Sequence, residues 1–152
     1  MSARDAEGEI EAASAHAILE RAGERARVLG LAYAGALTPA EAWALHIVGA
    51  AAIVDIRTEP EWQLVGHVPG IPLVVWPRGG DAAQLQAFLD EVGARFPQEA
   101  PLLFLCRSGV RSHYAAELAA RAGHPAAYNV LEGFEGDAPG RGWRAAGLPW
   151  ER

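Results

Sequence analysis

At 152 residues the chain is long enough for one compact domain with a well-buried core and too short for two typical ones, and its 51% apolar, 21% charged composition excludes a disordered polyelectrolyte. The net charge of −6, with no cluster of basic residues, argues against a nucleic-acid partner, and the 13 basic residues are all arginine, which excludes lysine Schiff-base and P-loop lysine chemistry. A single cysteine excludes an intramolecular disulfide and a thiolate zinc site, and it fits a reducing compartment.

Met1 to Ile10 alternates charged and small residues without the apolar stretch of a signal peptide, and no later run is long enough to cross a bilayer. A cytoplasmic protein without a membrane partner is expected. Residues 1–30 are rich in Ala, Glu and Arg, with Ile10, Ala13, Ala17, Ile18, Val28 and Leu29 at loosely helical spacing. They predict an N-terminal helical extension, a solvated accessory helix packed on a domain of residues 31–152. Two helix starts follow, Thr38-Pro39-Ala40-Glu41 and Thr58-Glu59-Pro60-Glu61, each with a Thr cap and a Glu placed to satisfy free backbone donors.

Ala51 to Asp55, Ile71 to Val75 and Leu102 to Leu105 are short apolar runs, as expected of buried strands, and Ala126 to Val130 is a plausible last strand. Asp81 to Phe96 carries Leu85, Phe88, Leu89 and Val92 at helical spacing, which makes it a crossover between the second and third runs. His113 to Ala122 predicts a helix stopped by Gly123 and Pro125. Gly133 to Pro149 predicts an irregular tail that Trp143 and Trp150 pin to the core.

The segment Cys106-Arg107-Ser108-Gly109-Val110-Arg111-Ser112 joins a strand to a helix through a loop that starts at the only cysteine. A turn of this kind directs backbone N–H groups and a helix N-terminus at one point and so makes an anion site. The thiolate is the reactive form of cysteine, and an electropositive surrounding favours it. Arg107 and Arg111 add to that field, and Gly109 frees the loop to curl around an atom. Against this stands the common fate of a free cysteine as a small buried apolar residue, and of Arg111 as a surface charge.

Val54-Asp55-Ile56-Arg57, Glu61-Trp62, Gly66-His67-Val68-Pro69-Gly70 and the Cys106–Ser112 loop, in this order and spacing, resemble the signature segments of the rhodanese family. The ending, with Asn129 to Phe134, Gly136-Asp137, Gly142-Trp143 and Gly147 to Trp150, is similar to single-domain bacterial members. The resemblance spans roughly residues 35 to 152, and departs from the family in having Ile71 where Ala usually follows the Gly-His-Val-Pro-Gly turn. It implies an α/β fold, an about five-stranded parallel sheet with helices on both faces and the active loop at the strand C-termini.

It also implies a thiosulfate sulfurtransferase. Cys106 matches the catalytic cysteine that carries sulfur as a persulfide, and Arg107, Ser108, Gly109, Val110, Arg111 and Ser112 match the loop that binds donor and persulfide. The implied partners are a small-molecule sulfur donor and a thiol or other nucleophilic acceptor. No cofactor is called for, no metal spacing is present, and a protein partner is compatible with the N-terminal helix. Asp55 and Arg57 lie at a neighbouring strand end and could face the pocket, although an ion pair that orders the loop is favoured. His67 is expected as a hydrogen-bonded turn residue. Two rivals remain: a non-catalytic or regulatory rhodanese-like module, and a cysteine phosphatase or arsenate reductase. The cell-cycle phosphatase loop is one residue longer than the four residues that separate Cys106 from Arg111 here, and the shorter ring fits one sulfur atom better than a phosphate.

Overall fold

The computed structural model describes residues 3–152, with side chains from residue 13 onward. Met1, Ser2 and the Ile10 side chain, which the sequence places in the extension, lie outside the described residues. The elements run α1 (Ala3–Leu29), β1 (Gly35–Leu37), α2 (Pro39–Ile47), β2 (Ala52–Asp55), α3 (Ala82–Arg95), β3 (Leu102–Leu105), α4 (Val110–Arg121) and β4 (Ala127–Val130). The strands form one parallel sheet in the order β1-β4-β3-β2.

Along β3 the side chains alternate between two cores, as the two-residue period of a strand demands. Leu103 and Leu105 join Ala22, Leu45, Tyr128 and Trp143 on the face covered by α1 and α2. Leu102, Phe104 and Cys106 join Val54, Phe88, Val92, Ala115 and Ala119 on the face covered by α3 and α4. A strand covered on both faces has no polar side, which is why Leu102 to Leu105 reads as one continuous apolar run.

The sheet has four regular strands where about five were expected. The expected strand Ile71 to Val75 lies beside β2, with one parallel bridge between Asp55 and Leu73 and backbone bonds Val74 N–H to Asp55 C=O at 2.8 Å and Trp76 N–H to Ile56 C=O at 3.0 Å. Pro72 has no N–H to donate, and proline within a sheet is confined to its edge, so this segment finishes the sheet without a full ladder. The three-residue strand β1, absent from the sequence reading, closes the other edge by pairing Gly35 to Leu37 with Tyr128 to Val130.

α2 begins at Thr38, whose hydroxyl accepts from the Glu41 N–H while the Glu41 carboxylate accepts from the Thr38 N–H, a complete capping box. The second expected start gives a single turn: Thr58 and Glu61 bond reciprocally, the chain takes a π-helical turn over Glu61–Val65, and Gly66 at φ 126° ends it. α3 starts at the Asp81–Gln84 box. The inner side of α1 buries Ala15, Ala22 and Ala26, and at Gly35 an added Cβ would stand 2.6 Å from the Ala22 backbone, so helix and strand touch main chain to main chain. Glu41 receives Arg21 at 3.0 Å and Arg25 at 2.6 Å, joining α1 to α2. Val28 and Leu29 are exposed, so the apolar spacing read across α1 stops contributing to the core before the helix ends.

The tail after β4 is irregular and well anchored. Trp143 is fully buried, donates from Nε1 to the Pro149 carbonyl at 2.8 Å and meets Trp43 edge-on at 5.9 Å. Trp150 lies against Gly66, where a Cβ would come within 2.7 Å of the indole, and Glu151 pairs with His67 through reciprocal backbone bonds of 2.7 and 2.9 Å. No helix among the described residues is long and apolar enough to cross a membrane.

Candidate active site

Cys106 is the first residue after β3 and is completely buried. The expected helix at His113 starts three residues earlier, at Val110, because Gly109 takes a left-handed conformation (φ 96°) and turns the chain sharply into α4. The loop is therefore short: Ser112 already belongs to the first helical turn, where N–H groups lack helical acceptors. No side chain caps that end. The Gly109 N–H donates to Cys106 Sγ at 3.1 Å, and the Ser112 hydroxyl lies 3.1 Å from the same sulfur, so the thiol sits at the positive end of α4.

Ser112 Oγ donates to Asn129 Oδ1 at 2.5 Å, and Asn129 Nδ2 donates to the Gly109 carbonyl at 3.2 Å. The sequence places Asn129 in the last expected strand and in the family ending, without a role at the loop. The signal for more was available: an amide in a strand whose every residue is buried must find hydrogen-bond partners.

Arg111 makes a two-pronged ion pair with Glu61, at 2.9 and 2.8 Å, across the loop. Burial acts to raise the Glu61 pKa, but the bonds from Arg111 and from the Thr58 backbone and hydroxyl outweigh it and bring it to about 2. The sequence gives Glu61 as a cap and as part of a signature segment; the structure makes it also the partner of the loop arginine. Arg107 points outward, with 63% of its side chain exposed and Glu135 at 3.3 Å. Val110 is exposed, while Ser108 and Gly109 are half-buried.

The loop rests on the segment after β4. The N–H groups of Phe134 and Glu135 donate to the carbonyls of Cys106 and Arg107 at 2.8 and 2.9 Å. Gly133 is in van der Waals contact with the loop main chain: at φ 69°, its Cβ would be 2.4 Å from the Arg107 carbonyl. Asp55 and Arg57 form the buried ion pair favoured from sequence. Arg57 Nε and Nη2 donate to Asp55 at 3.0 and 2.8 Å, Nη2 also donates to the Gly66 carbonyl at 2.7 Å, and the guanidinium lies 4.3 Å over the Phe134 ring. Through Phe134, the pair supports the floor beneath Cys106. His67 is held by its turn, with Nδ1 3.1 Å from the Trp62 carbonyl and its ring stacked on Trp62 at 3.5 Å. Among the described residues no grouping of His, Cys, Asp and Glu could hold a metal ion.

A buried thiol at a helix N-terminus, with a backbone donor on the sulfur, is arranged to stabilise negative charge on sulfur. The model of the rhodanese-like domain matches residues 38–138. The chain is 38% identical over 104 residues to a protein from Rickettsia conorii named uncharacterized protein RC0915, over 65% of this chain and 81% of that one. The crystal structure of Rv0390 from M. tuberculosis is similar with a TM-score of 0.66 at 44% identity, covering 78% of this chain and 98% of that one. The polysulfide-sulfur transferase homodimer of Wolinella succinogenes shares the fold, with a TM-score of 0.58 at 18% identity over 76% and 77% of the two chains.

Proposed function

Since the chain belongs to the rhodanese-like family, we propose that it is a sulfurtransferase that moves a sulfane sulfur from thiosulfate or a similar donor to a nucleophilic acceptor, through a persulfide on Cys106. The observation that carries this reading is the position of the Cys106 sulfur, 3.1 Å from the Gly109 N–H and at the uncapped start of α4.

In the first half-reaction the Cys106 thiolate attacks the outer sulfur of thiosulfate; a new S–S bond forms, the old one breaks, and sulfite leaves with the bonding pair. The terminal sulfur keeps a negative charge, which the loop N–H groups and the α4 N-terminus stabilise. In the second, a thiol or cyanide attacks that sulfur and the Cys106 thiolate leaves. Arg107 at the exposed rim and Arg111 beside the loop provide cationic partners for the anionic donor. Ser108, Val110 and Ser112 contribute backbone donors. Asp55 and Arg57 act structurally, through the loop floor.

The test is steady-state transfer of sulfur from thiosulfate to cyanide by the wild type and by Cys106→Ser. Turnover is expected in the first and none in the second, because a serine hydroxyl is far less acidic and a poor nucleophile toward sulfur. Hydrolysis of an aryl phosphate without sulfur transfer would assign the loop to phosphatase chemistry instead.

A further inference from the structure

The Ser112 hydroxyl has one proton and two neighbours that could take it, Cys106 Sγ at 3.1 Å and Asn129 Oδ1 at 2.5 Å. Which one receives it is decided at Asn129. Its Nδ2 donates to the Gly109 carbonyl at 3.2 Å, and a reversed amide would set two carbonyl oxygens against each other. The nitrogen is thus a donor, and Oδ1 is left as an acceptor aimed at Ser112.

We infer that Asn129 is a positioning residue that draws the Ser112 proton away from Cys106, so that Ser112 presents lone pairs to the sulfur and accepts from the resting thiol. Taking Cys106 as the reacting group rests on the sulfurtransferase reading; the hydrogen-bond polarity does not. For Ser112 to stabilise a thiolate, its hydroxyl must swing to the sulfur and leave Asn129 Oδ1 buried without a donor, which costs free energy. The Gly109 N–H and the α4 terminus favour the anion, whereas the Ser112–Asn129 pair opposes it until the hydroxyl turns.

The other charged or titratable groups around the sulfur are Arg107, which points outward to Glu135, Arg111 on α4, with Asp55 and Glu61 acting on that guanidinium, and Tyr33 and His113, 2.6 Å apart. All of them are unchanged in the variants below. Because the chain has one cysteine, thiolate absorbance as a function of pH reports Cys106 alone, with Cys106→Ser as the blank.

Ser112→Ala removes the acceptor from the thiol, and its thiolate should form at lower pH than in the wild type, with an ionisation constant raised by about tenfold. Asn129→Leu frees the hydroxyl to donate to the sulfur and should move the transition further in the same direction. In the Ser112→Ala background, Asn129→Leu should add nothing, since the intermediary is gone. If Asn129→Leu does not fold, Ser112→Ala decides alone. A transition that rises or stays in place in Ser112→Ala would overturn the inference, because a hydroxyl that donates to the thiolate predicts a rise. Thiosulfate uptake is scored separately: the predicted shifts without uptake would remove the sulfurtransferase reading and keep this inference, and uptake with a rising transition would do the reverse.

Discussion

Replacing Glu61 by Gln removes the charge that holds Arg111 while keeping the shape of the side chain. The structure sets the size of the effect. Glu61 titrates at about 2 against an ordinary 4.5, because hydrogen bonds from Arg111 and Thr58 overcome the burial that acts to raise it. At about 1.4 kcal/mol per pH unit, this corresponds to about 3 kcal/mol in favour of the folded state at neutral pH. Arg111 and Glu61 keep 12% and 18% of their side-chain surfaces in water, so screening reduces the expected effect to about 1–2 kcal/mol.

A carboxylate whose folded pKa is depressed contributes stability above its unfolded value, and the contribution declines as pH falls from near 4.5 toward about 2. Denaturant unfolding of wild type and Glu61→Gln at pH 7 and at about pH 3.5 reads both features. The wild type should be more stable at pH 7 by the amount above, and the gap should shrink by roughly 40% at the lower pH. A gap of the same size at both pH values, or none at pH 7, would refute the assignment of this pair as a stabilising contact. Arg111→Ala should destabilise to a similar degree by leaving Glu61 unpaired. Combining Arg111→Ala with Glu61→Gln should restore part of the stability without restoring sulfur transfer, which separates the two roles of the arginine.

Arg57→Ala strands the buried Asp55 carboxylate and should cost about 3–5 kcal/mol, read as a lower denaturant midpoint. Gly133→Ala forces a Cβ against the Arg107 carbonyl at a position already in the left-handed region; it should cut turnover at least tenfold through displacement of the loop, with a loss of about 1–3 kcal/mol in unfolding measurements. An active Gly133→Ala of wild-type stability would show that the segment after β4 does not set the loop.

The parallel α/β core was legible because its strands are buried on both faces and therefore read as uninterrupted apolar runs, with helical periodicity between them. β1 was not, since Gly35-Ala36-Leu37 is too short and too small to carry a pattern, and is held by backbone pairing with β4 and close packing on Ala22. Ile71 to Val75 read as a strand from its side chains, but Pro72 breaks the ladder in a way that apolarity does not register. The Cys106 loop stood out through its cysteine, glycine and arginines. Glu61 and Asn129 did not, because what joins them to the loop is contact across 50 and 20 residues of sequence. A capping signal explained the first locally, and the second was one polar letter in an apolar strand. The early start of α4 depends on the left-handed Gly109, a backbone choice that the β-branched Val110 after it concealed.

In the proposed mechanism Cys106 holds the transferred sulfur covalently. The persulfide is detected by intact-mass measurement of the protein after incubation with thiosulfate and removal of excess donor. The mass should rise by one sulfur atom, reversibly with cyanide or excess thiol and not at all in Cys106→Ser; no mass gain in a folded wild-type protein, or an equal gain in Cys106→Ser, would rule out the Cys106 persulfide.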